Sequence, residues 1–61
     1  MPLRIHLLEA KMWLVAGLPE MAILALKQAL AAANGERPSA RPHIFRALNL
    51  ARAAVNQKVQ S

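Results

Sequence analysis

The side chains able to do chemistry are few: three carboxylates (Glu9, Glu20, Glu36), two imidazoles (His6, His43), two hydroxyls (Ser39, Ser61) and no thiol. General acid-base work needs a proton donor and acceptor held within hydrogen-bond reach of one reacting group. The three carboxylates fall on three different segments, and neither serine neighbours a histidine that would activate it. His6 and Glu9 stand one helical turn apart and offer two ligands to a metal, where a closed site needs about four. That spacing reads as an intrahelical contact instead. His43 receives no role. Gly17 and Gly35 are the only glycines, so no glycine-rich loop exists to cradle a phosphate. The residues predict a protein that is not an enzyme and that has neither metal nor cofactor.

Charge is the second kind of chemistry available. From Met1 to Glu36 the cations Arg4, Lys11 and Lys27 balance Glu9, Glu20 and Glu36, so the whole net charge of +5 comes from Arg37, Arg41, Arg46, Arg52 and Lys58. Four arginines, Arg37, Arg41, Arg46 and Arg52, form a candidate polyanion-binding set, whose hallmark would be a steep salt dependence. Arg41, Phe45, Leu48 and Arg52 share one helical stripe while Arg46 stands on another, so base-edge readout from one narrow face is not expected. A solvated face, or a face meeting an acidic partner, accounts for the same charges.

Stepping from these residues to the elements that carry them, the breakers divide the chain clearly. Gly17 precedes Pro19 by two residues, a glycine that stops one helix and a proline suited to the first turn of the next. The pattern predicts helices over about 3–16, 19–33 and 42–58, with a linker over 34–41 that begins at Asn34-Gly35 and holds Pro38 and Pro42. Glu20 complements the dipole of the second helix, and Ser39 is a candidate cap for the third. The alternative, one helix kinked at Pro19, gives a two-helix hairpin; glycine and proline together favour a break.

The composition is 56% hydrophobic with 3% aromatic, and its apolar residues are mostly Ala and Leu. These types cost least in a helix. An all-α single domain over residues 1–61 follows, a helical hairpin plus a third helix whose Ile44, Leu48, Ala51, Val55 and Val59 recur at helical spacing. The first two helices are not simply amphipathic. The first carries Leu3, Leu7, Ala10 and Leu14 on one stripe and Leu8, Met12 and Val15 on the next, and the second is polar only at Glu20, Lys27 and Gln28 before Ala33. A domain this short buries only about 60% of its unfolded surface. Lacking cysteine, it is expected to be completed by dimerisation or by a partner, the alternative being a monomeric three-helix core. The expected contacts are Trp13, Met21, Leu24 and Leu26, the aromatic, methionine and leucine anchors of the first two helices.

The Leu7–Ala33 stretch resembles the helical hairpin of a tetratricopeptide repeat, particularly the Leu- and Ala-rich variety of MalT-type bacterial regulators. The matching residues are Ala10 at the close helix contact, Trp13 at an aromatic position, Gly17 in the turn, and Ala22, Leu26 and Ala29 along the second helix. His6 and Glu9 depart from the pattern, as does Asn34-Gly35 where a proline is customary. The resemblance covers under half of the chain and implies a scaffold that binds a peptide or helix, stabilised by neighbouring units. A helix-turn-helix reading of the same residues would present Pro19, Glu20, Met21, Leu24 and Ala25 to DNA, a set without base-reading donors.

No segment combines a basic start, a clean apolar run and a small-residue cleavage site, and Pro19 and Glu20 interrupt the longest apolar stretch. The sequence therefore predicts a cytoplasmic, TPR-like protein-protein interaction module, an adaptor, regulator or chaperone-like subunit that binds a protein partner or forms a homo-oligomer. Nucleic-acid binding through the loop and third helix is the alternative, and no membrane span is expected.

Overall fold

A computed structural model describes residues 2–60, and they form three α-helices: α1 over Pro2–Val15, α2 over Pro19–Glu36 and α3 over Arg41–Gln60, with a 3-10 turn over Pro38–Ala40 before α3. The expected all-α fold is the one found, and no strand occurs among the described residues. Ser61 lies outside them.

The break between α1 and α2 follows from backbone chemistry. Gly17 adopts φ +79°, the left-handed conformation that only glycine enters without steric penalty. The Leu18 N–H then donates to the Trp13 carbonyl at 2.9 Å and the Gly17 N–H to that of Leu14 at 3.1 Å, a Schellman closure that satisfies two orphaned carbonyls. Leu18 immediately becomes the N-cap of α2: its carbonyl accepts from the Met21 and Ala22 N–H groups at 3.1 and 3.2 Å. Pro19 follows at the first helical position, where a missing N–H costs nothing. The chain therefore reverses within three residues, and α2 returns antiparallel to α1.

The second boundary corrects the sequence reading. Asn34-Gly35 does not stop α2, which continues to Glu36. Gly35 lies in an ordinary helical conformation, and the Arg37 N–H still donates to the Ala33 carbonyl at 2.9 Å. The stop is Pro38. A proline disfavours the helical region for the residue before it, and Arg37 lies at φ −154°, ψ 80°. What remains of the predicted linker is mostly the 3-10 turn, which holds Ser39 and whose N-cap, Arg37, makes no side-chain cap hydrogen bond.

α1 and α3 each pack along α2, the central helix of an elongated bundle measuring 38 × 18 × 12 Å. The buried residues of α2 are Pro19, Ala22, Ala25, Leu26, Ala29 and Ala33, all within about 120° of the helical wheel. Four alanines in that arc allow close helix approach. They meet Leu3 and Ala10 of α1 and Ile44, Leu48 and Ala51 of α3, with Trp13, Ile23, Leu30 and Ala47 packed around them. No polar or charged side chain among the described residues is buried.

Two stripes differ from expectation. On α1 the inward line runs through Leu3, His6, Ala10 and Trp13, while Leu7 and Leu14 lie at its edge with over a third of their surface exposed. On α3 the buried stripe ends near Val55, and Val59 is left in solvent.

Candidate functional site

The surface departs most from that of an ordinary soluble helix on α1. Burial against α2 uses the arc from Trp13 to Leu3, yet a second apolar line, Ile5, Leu8, Met12 and Val15, is centred about 160° away. These four side chains are 54%, 56%, 70% and 82% exposed. Single exposed hydrophobics need no explanation, but a contiguous line of four on one helix makes this face the candidate site. Leu8, Met12 and Val15 were visible as a stripe in the sequence; Ile5, which completes it one turn earlier, was not recognised.

Beside this line Glu9, Met12, Trp13 and Ala16 enclose a shallow, mostly apolar notch of about 250 Å³. Trp13 is half-buried there, with one part of the indole against the core and the rest toward the notch. His6 Nδ1 lies 3.1 Å from Glu9 Oε1, the intrahelical contact read from their spacing. Among the described residues no group of three His, Cys, Asp or Glu side chains comes together.

The remaining expected contacts divide. Met21 and Leu24 lie on the solvent side of α2, Leu24 at 54% exposure, next to Glu20, Lys27 and Gln28. Leu26 is 1% exposed and, with Ile44, is one of the two largest fully buried side chains among the described residues. It belongs to the core and is withdrawn from the contact set: on the wheel it lies about 160° from Leu24, inside the alanine arc.

The four arginines are all exposed but do not converge. Arg41 and Arg52, three turns apart, share one flank of α3, and the Arg41 guanidinium carbon stands 5.8 Å from the centre of the Phe45 ring, a cation-π arrangement. Arg46 is on the outer face of α3, about 130° further round the helix. Arg37 lies at the other end of α2, where it lines an open cleft of about 460 Å³ with Leu3, Arg4, Leu7 and Glu36. The fifth cation, Lys58, is used internally: its Nζ donates to Glu20 Oε1 at 3.1 Å and to the Gly17 carbonyl at 3.3 Å, tying the end of α3 to the α1–α2 turn.

Fold and surface together define a three-helix, all-α protein with an alanine-lined core and an apolar line left uncovered on α1. No protein-family model, curated protein or solved structure matches the chain. No helix among the described residues is long and apolar enough to cross a membrane.

Proposed function

We propose that this chain is a small, non-enzymatic protein-protein interaction module of the cytoplasm, an adaptor, regulator or chaperone-like subunit that holds a protein partner through apolar helical faces. The observation that carries the reading is the outward line of α1, Ile5, Leu8, Met12 and Val15, uncovered on a helix whose other side is already in the core. Covering such a line at roughly 25 cal/mol per Å² is worth several kcal/mol, which a monomer forgoes. Trp13, Met21 and Leu24 are the further contacts this reading uses.

The tetratricopeptide-like reading is part of the proposal. Its support is that Ala10, Ala22, Leu26 and Ala29 are buried together and that Gly17 makes the turn between antiparallel helices. A lone hairpin of that kind leaves the faces that would meet neighbouring units open.

The test is capture with the purified chain under nuclease treatment, washed at low and high salt, with wild type beside Leu8→Lys and Leu24→Lys. A protein retained at high salt and lost with either variant supports the module. Recovery of nucleic acid that high salt removes, through Arg37, Arg41, Arg46 and Arg52, replaces it with a polyanion-binding function.

A further inference from the structure

The outward line of α1 has the spacing of a coiled-coil seam. Ile5, Leu8, Met12 and Val15 are separated by three, four and three residues, the a, d, a and d positions of two successive heptads. The opposite side of the same helix is covered by α2, so the seam faces away from the rest of the fold, and its four side chains are 54–82% exposed among the described residues. This heptad frame also fixes the flanks: Arg4 and Lys11 occupy the g positions and Glu9 an e position.

Those charges choose an occupant and an orientation. In a parallel pair, each g residue faces the e residue five positions later on the other helix. Arg4 then faces Glu9 of a second copy, and Glu9 faces that copy's Arg4, two ion pairs related by the twofold axis. Lys11 faces Ala16, at the rim of the notch beside Trp13. In an antiparallel pair with the same core layers, the g positions face one another, and Arg4 meets Lys11 twice. Like charges repel, and the antiparallel arrangement has no compensating pair. Isoleucine at a with leucine at d, the first heptad here, is also the combination that favours two parallel strands. His6 engages Oε1 of Glu9, which leaves the other carboxylate oxygen for an arginine.

We propose that α1 is the interface of a parallel, twofold-symmetric dimer of this chain, with Ile5, Leu8, Met12 and Val15 as its seam and reciprocal Arg4–Glu9 pairs setting its direction. The proposal rests on the reading of the chain as an interaction module and names a second copy as the partner. Two heptads fall below the area of a standard interface, about 800 Å² per partner, so the dimer is expected to form in the micromolar range.

Sedimentation equilibrium on the purified full chain, from low micromolar to millimolar, provides the test. Wild type should pass from monomer to dimer across that range. Leu8→Lys should remain monomeric with unchanged helical circular dichroism, because Leu8 is exposed in the monomer. Arg4→Glu should weaken the dimer at least about tenfold, Arg4→Glu combined with Glu9→Arg should restore it, and the two single variants mixed should pair with each other more tightly than either with itself. Tighter association on Arg4→Glu would overturn the parallel arrangement, since only the antiparallel one sets that position beside Lys11. A chain monomeric at millimolar concentration overturns self-pairing. If such a chain still captures a host protein and loses it on Leu8→Lys, the module reading survives without the dimer; if it captures none, both fall. A Trp13 emission shift on anionic vesicles, abolished by Leu8→Lys in a chain that does not dimerise, would assign the seam to a lipid surface and overturn the proposal.

Discussion

Leu26 and Leu24 are two residues apart on one helix, and truncating each to alanine separates core from contact. Leu26 is 1% exposed, packed in the alanine arc that receives both α1 and α3. Leu26→Ala removes its buried methyls and leaves a cavity, since the surrounding alanines have little side chain with which to fill it. Such changes cost about 2–5 kcal/mol. A 61-residue domain has roughly 3–9 kcal/mol in total, so the variant should lose at least about a fifth of its stability. At about 4–8 °C per kcal/mol for a domain of this size, the melting midpoint falls by roughly 10 °C or more, and the weaker end of the range leaves the chain largely unfolded at 37 °C. Leu24 is 54% exposed, and Leu24→Ala should change the stability by less than about 0.5 kcal/mol. Thermal and urea unfolding followed by circular dichroism at 222 nm measures both, at a concentration low enough to keep the chain monomeric. If Leu26→Ala melts with wild type, or Leu24→Ala is the more damaging of the two, the assignment of the core is wrong.

Three further substitutions probe the fold. Gly17→Ala should cost about 1 kcal/mol, entirely from the positive φ, because an added Cβ meets nothing within 4 Å; urea unfolding checks it. Ala29→Leu overpacks a position with no exposed surface and should destabilise by about 1–3 kcal/mol, measured as a lower melting midpoint. Lys58→Met breaks the bonds to Glu20 and Gly17 but, with both charged side chains about half exposed, should cost no more than about 1 kcal/mol, and less at high salt.

The helices were legible where a residue has one use. Gly17 and Pro19 are incompatible with a continuous helix, and the break occurs between them. On α3 the polar residues Arg46, Asn49 and Asn56 leave one side for the core, and Ile44, Leu48 and Ala51 take it. Asn34-Gly35 does not end α2 because glycine permits a left-handed stop without requiring one; Pro38 biases Arg37 away from the helical region, and there the helix stops, whereas Arg41 before Pro42 stays helical. On α2 the apolar residues surround most of the helix, so hydrophobicity does not say which side faces inward, and Leu26, an expected contact, lies in the core. The signal present was size: Ala22, Ala25, Ala29 and Ala33 recur at one side, where small side chains permit close approach, and Leu26 lies among them. The outward seam of α1 was half legible. Its last three residues were seen as a stripe, but a second apolar stripe acquires meaning only once the first is known to be covered by α2.

The most direct test of the central claim is to place a photo-crosslinking amino acid at Met12, which is 70% exposed in the middle of the seam, and at Asn49 on α3 as a control, and to irradiate the native cells. The account predicts a covalent adduct with a protein chain from position 12, identified by mass spectrometry as a second copy or a single partner, and absent from position 49. Equal adducts from both positions, or crosslinks from position 12 to nucleic acid or lipid alone, would contradict it.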